Sequence, residues 1–220
     1  MLAQPTAPTQ SAAPKAPVES PLLHPDLLKA KAPDLFRVKF VTTKGDIVIE
    51  VHRDWAPIGA DRFYNLVKNH FFTDASFFRV VKGFMAQFGI PANPKIAAVW
   101  ESANIKDDPV KQSNKKGMIT FANTGQPNSR GAQMFINLAD NTFLDGQLFA
   151  PFGTVTEGMA VVESLYNEYG DGPPRGRGPD QGRIQSEGKA YLDKSFPKMD
   201  SIKSATVLPS EGATPAAPKK

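Results

Sequence analysis

The chain contains no cysteine. This excludes a disulfide framework, a thiolate metal site and a cysteine nucleophile together, while leaving the redox compartment open. Histidine is nearly as scarce: His24, His52 and His70 are the only 3. A metal site would have to recruit carboxylates from distant segments, and surface or satisfied histidines are the better reading. No apolar run approaches the roughly eighteen residues that a membrane-spanning helix needs. Neither charge sign dominates, with 26 Lys and Arg against 22 Asp and Glu and a net charge of +4. The basic residues are dispersed among acids, which argues against a nucleic-acid partner. A phosphate-binding Walker loop, a nucleophile elbow, a dinucleotide fingerprint and an HExxH pair are all missing, so the common cofactor-dependent and hydrolytic chemistries are not indicated.

What is present is an ordinary globular composition, 40% hydrophobic and 22% charged over 220 residues, enough for one self-sufficient core. The first 34 residues are rich in Pro and Ala and poor in aromatics, and read as a flexible tether; residues 209–220 read as a disordered tail. The domain is expected over 35–208. Leu2-Ala3-Gln4 followed by an Ala, Pro, Thr and Gln run is like the start of a mature exported chain whose leader Met1 has replaced. A periplasmic or secreted location is therefore expected, with the cytoplasm as the alternative.

Within the domain, residues 36–41 and 47–51 are β-rich runs around a glycine turn, which predicts a hairpin. Pro57 at a first helical position, followed by Ala60, Phe63, Tyr64 and Val67, predicts an amphipathic helix over 57–69. Short β-type runs follow at 77–81, 84–88, 118–122, 134–138, 152–155 and 201–207. Met159, Val162, Leu165 and Tyr166 predict a second helix within 158–167. Such a series of short strands predicts a mainly β barrel or sandwich. Residues 170–182, reading GDGPPRGRGPDQG, are expected to be a solvated surface loop and not a site.

Three segments pair aromatic with polar residues in an unusual way: FFRVVKGFMAQFG over 77–89, Phe121-Ala122-Asn123, and Gln133-Met134-Phe135-Ile136-Asn137. Together with NTFLDG over 141–146 and FGTV over 152–155, they resemble the cyclophilin family of peptidyl-prolyl cis-trans isomerases, in a bacterial-like form. The likeness covers residues 36–208. It implies a closed eight-stranded antiparallel β-barrel capped by two helices. It also implies rotation of X-Pro bonds in peptides and unfolded proteins, in support of folding, with neither metal nor cofactor.

Residue by residue, the resemblance makes Arg79 the catalytic arginine. It places Phe84, Met85, Phe135 and Leu144 in an apolar pocket for the proline ring. Gln87, Ala122, Asn123 and Gln133 are the groups expected to hold the substrate backbone, with Phe143 and Phe149 at the groove edge. Expected partners are proline-containing peptides and unfolded clients, and the chain is expected to act as a monomer.

Phe143 stands where many eukaryotic relatives carry Trp, so cyclosporin-type ligands are expected to bind weakly. The family's groove histidine has no counterpart, and Leu148 or Phe149 takes its place beside an apparent one-residue insertion. Gln126 is an apparent extra residue in the loop 124–131, and Ile90-Pro91 replaces a common Gly-Asp pair. A non-catalytic module that binds proline-containing segments is the alternative, as is an RNA-associated protein acting through residues 170–182.

Overall fold

A computed structural model of the chain describes residues 19–209. The hairpin forms as its sequence dictates: β1 (Leu35–Thr42) and β2 (Asp46–His52) pair antiparallel from Leu35↔His52 to Val41↔Asp46. Along β1 every second residue, Phe36, Val38, Phe40 and Thr42, is buried, the period-two signature of a strand with one face on the core. The remaining strands are β3 (Ala75–Ser76), β4 (Arg79–Val81), β5 (Met85–Phe88), β6 (Met118–Phe121), β7 (Met134–Asn137), β8 (Pro151–Glu157) and β9 (Ser201–Val207).

All nine join one antiparallel sheet in the order β3-β9-β1-β2-β8-β6-β7-β5-β4. Its two edge strands are neighbours in the chain, separated only by Phe77 and Phe78, so the sheet curls until its ends meet there. Among the described residues the expected eight strands become nine because a two-residue strand, Ala75–Ser76, precedes the run read at 77–81, of which only Arg79–Val81 is strand. Phe77 N–H donates to Asp200 O at 2.9 Å, one step further along the register that pairs Ala75 with Ile202 and Ser76 with Ser201.

Phenylalanines fill the interior. Phe63 packs its ring 6.1 Å from Phe40 and 5.2 Å from Phe152, while Phe88 lies 5.7 Å from both Phe40 and Phe72. Each such ring removed from water contributes about 1.5–3 kcal/mol. A barrel packed this way has no internal cavity for a substrate, so a site must lie on its outer surface.

Among the described residues five α-helices surround the sheet, where two were expected: α1 (Pro57–Lys68), α2 (Pro94–Trp100), α3 (Met159–Glu163), α4 (Gln181–Glu187) and α5 (Lys189–Ser195). The first and third answer the two expectations. The additional helices are short, and two of them are capped by side chains, Asn93 accepting from Lys95 N at α2 and Asp180 from Arg183 N at α4, at 2.9 Å each. Helix α1 has no side-chain cap from its own segment. Asp108 supplies one from a distance, accepting from Ile58 N at 3.0 Å and Gly59 N at 2.8 Å.

Residues 19–34, expected to belong to a flexible tether, are instead strapped to the body. Leu22 is buried and its carbonyl accepts from Trp100 Nε1 at 2.7 Å. Ala30 exchanges two hydrogen bonds with Asn65, and Ala32 N donates to Asp61 Oδ1 at 2.8 Å. Polar side chains on α1 thus satisfy an extended backbone that could not satisfy itself. The rest of the expected tether and the tail from 210 lie outside the described residues. No helix among the described residues is long and apolar enough to cross a membrane.

Candidate active site

Strand alternation creates the site. On β4, β5 and β7, the residues Val80, Ala86, Phe88, Met134 and Ile136 point into the barrel core, whereas Val81, Met85 and Phe135 belong to a separate apolar cluster. Cross-strand register then sets Arg79 opposite Gln87, and Gln87 opposite Phe135. One row across the outer face therefore carries a cation, an amide and an aromatic ring.

Leu144 completes the cluster from a 3₁₀ segment, Thr142–Gln147. Its placement is fixed by two polar anchors. Asn141 donates to Phe84 O and to Asn137 Oδ1, both at 2.8 Å. Asp145 accepts from Ser113 Oγ and from both Nδ2 and the backbone N–H of Asn114. Burial pushes the Asp145 carboxyl upward, yet these donors hold it below the ordinary carboxylate value.

Arg79 is held from several directions. Its Nη1 donates to Gln87 Oε1 at 3.1 Å and approaches Met85 Sδ at 3.8 Å, and its guanidinium carbon lies 5.7 Å from the Phe84 ring centre. Gln87 is itself fixed, its Nε2 donating to Gln133 Oε1 at 2.9 Å. The remaining contact is an ion pair from Arg79 Nε to Asp171.

These groups line a groove of about 860 Å³. Arg79, Phe84, Met85, Gln87 and Gln133 form one side, and Ala122, Asn123, Phe135, Leu144 and Phe149 extend it. Ala122 N donates to Gln133 O at 2.9 Å, which ties the two segments together. The side-chain amide of Asn123 is engaged, donating to Gln147 O at the end of the 3₁₀ segment and accepting from Gly125 N, while its backbone N–H and C=O have no partner among the described residues.

Phe143 is not among the lining residues. It is 61% exposed and stacks on Phe84 with centroids 6.1 Å apart, outside the groove. Of the two candidates for the missing histidine's place, Phe149 lines the groove and sits edge-on to Phe135 at 5.6 Å. Leu148 has a left-handed backbone and turns outward, 43% exposed. None of the three histidines lines the groove.

The far wall was not foreseen. Asp171, Gly172, Pro173, Pro174 and Pro179 all face the groove, so residues 170–182 are part of the site and not merely a solvated loop. The sequence offers no periodicity there, and Asp171 lies 92 positions from the arginine it meets.

Comparison with known proteins identifies the family and the fold. Residues 37–186 match the family described as cyclophilin type peptidyl-prolyl cis-trans isomerase/CLD. A peptidyl-prolyl cis-trans isomerase of Acinetobacter baylyi is 37% identical over 147 residues, covering 64% of this chain and 77% of that protein. Peptidyl-prolyl cis-trans isomerase B of Escherichia coli is 34% identical over 137 residues, covering 58% and 82%. A crystal structure of a Cryptosporidium parvum cyclophilin type isomerase superposes with a TM-score of 0.59 at 18% identity, covering 80% of this chain and 99% of that one. The same parvum protein has also been solved in the presence of the dipeptide Ala-Pro.

Proposed function

The chain belongs to the cyclophilin-type peptidyl-prolyl cis-trans isomerases, and on that premise we propose that Arg79 and the Met85, Phe135 and Leu144 cluster are its working parts. The carrying observation is the adjacency of a tethered guanidinium to an apolar cluster segregated from the core, both lining one groove.

Rotation about an X-Pro bond breaks amide conjugation across a barrier of roughly 18–20 kcal/mol, and no covalent bond need break. As the bond twists, the prolyl nitrogen pyramidalises and regains a lone pair. A fixed cationic donor beside that nitrogen stabilises the twisted state more than either planar state. Arg79 suits the task because a guanidinium is a cation that presents planar donors.

The apolar cluster grips the proline ring while the other side of the bond turns. Backbone groups at Asn123 are available to pair with an extended peptide. An acceleration of about four orders of magnitude would need about 5.4 kcal/mol of differential stabilisation. One charge-assisted hydrogen bond in a partly desolvated groove, together with that clamp, is of this size in kind. Clients are then proline-containing stretches of extended or unfolded chains, consistent with the dipeptide used with the parvum relative.

Exchange spectroscopy on a short X-Pro peptide tests the reading. The protein should accelerate cis-trans exchange, and Arg79→Ala should lower it by about a hundredfold while leaving fold and most peptide affinity intact. Undiminished exchange in Arg79→Ala, or peptide binding without any acceleration by the parent protein, would overturn it.

A further inference from the structure

We propose that Asp171 is a positioning residue for Arg79, a role that rests on the reading of Arg79 given above. Two arginine-carboxylate pairs within the chain show what is particular about it. Arg53 meets Asp61 through both Nε and Nη2, at 2.8 and 2.9 Å, a two-point fork that occupies one edge of the guanidinium. Arg79 meets Asp171 at Nε alone. With Nη1 on Gln87 and Met85, the nitrogen left without a protein partner among the described residues is Nη2. The carboxylate therefore fixes the orientation of the group without consuming its whole donor face.

The loop that presents Asp171 is built to hold it still. Gly178 N donates to Asp171 O at 2.8 Å. A Cβ at Gly176 would fall 2.2 Å from that same carbonyl oxygen, and one at Gly172 would fall 2.4 Å from Pro179 O. The glycines in GDGPPRGRG thus let the backbone fold tightly over itself around residue 171. Gly178 and Pro179 are buried. At the loop's end Asp180 N donates to Tyr191 Oη at 3.2 Å while the Asp180 carboxylate caps α4.

A carboxylate beside a catalytic cation has two opposing effects. It offsets part of the positive charge, which would slow the reaction, and it removes the rotamer freedom of a long side chain, which would speed it. The pair is partly solvated, with side chains 19% and 29% exposed, so water screens the charge effect. The geometric effect is not screened, and it prevails.

The test measures kcat and KM for exchange of an X-Pro peptide in five variants of the full chain. Asp171→Ala should lower kcat about tenfold, equivalent to about 1.4 kcal/mol, with KM within about a factor of two. Asp171→Glu should recover part of that loss. Gly176→Ala, which displaces the loop without touching the carboxylate, should reproduce it. In an Arg79→Ala background, Asp171→Ala should cost nothing further. Unchanged or raised kcat in both Asp171→Ala and Gly176→Ala, with Arg79→Ala impaired, would overturn the positioning role. Full activity in Arg79→Ala would instead overturn the reading of Arg79 itself. Thermal melting of each variant separates loss of position from loss of fold.

Discussion

Arg130 and Asp108 form an ion pair shut away from water, Nη2 to Oδ2 at 3.0 Å, with side chains 0% and 1% exposed. The pair sits under the first turn of α1, where Asp108 also accepts from Ile58 N and Gly59 N. One carboxylate therefore neutralises a buried cation and caps a helix at once. Removing it would leave the buried guanidinium with only Asp107, 3.4 Å from its Nε, and the Lys106 carbonyl, and would strand two helix N–H groups.

Asp108→Ala should accordingly destabilise the protein by about 3–5 kcal/mol, as breaking a buried pair from one side does. Urea unfolding would show a lower midpoint at an unchanged slope. A change of less than about 1 kcal/mol would mean that water reaches the pair after all.

Acid should unfold the protein through Asp61 and Asp145. Burial pushes both carboxyls up. Arg53 and the Ala32 N–H outweigh this at Asp61, and Ser113 with Asn114 outweigh it at Asp145, so both are held below their ordinary value. A carboxylate depressed in the folded state contributes stability that is complete above its unfolded pKa and is lost as pH falls through the folded one. Between about pH 5 and about pH 2, the Asp61→Asn, Asp145→Asn double variant should therefore lose less stability than the parent chain. Parallel stability-pH curves would refute this.

Phe143, stacked on Phe84 outside the groove, carries a ring without a polar handle. The parent chain should bind cyclosporin-type ligands weakly while still acting on peptides. Phe143→Trp, which restores an indole N–H on an exposed, Phe84-stacked position, should tighten that binding by up to about tenfold, the worth of one hydrogen bond. Titration calorimetry decides the matter, and nanomolar affinity in the parent chain would contradict it.

The motifs around Arg79 were readable through the family resemblance that FFRVVKGFMAQFG, FAN and QMFIN carry, and in the structure their alternation separates Met85 and Phe135 from the core residues Ala86, Phe88, Met134 and Ile136. Pro57 marked α1 for a local reason. What escaped depends on distance. The strap of residues 19–34 looked like a tether because its composition is poor in core residues, and its order comes from Trp100, Asn65 and Asp61 elsewhere. Asp171 escaped for the same reason, its partner lying 92 positions away in the chain. Asn93-Pro94 and Asp180 were local signals for α2 and α4, legible as caps but set in segments dominated by Gly and Pro.

The meeting of the sheet's ends at Phe77–Phe78 bears on how the protein comes into being. The strand just ahead of Arg79 is held by β9, the last strand among the described residues, with Ala75 opposite Ile202 and Ser76 opposite Ser201. A ribosome will have made every residue assigned to the groove before it makes β9. Until β9 emerges and pairs, β3 lacks the partner that holds it beside the strand of Arg79.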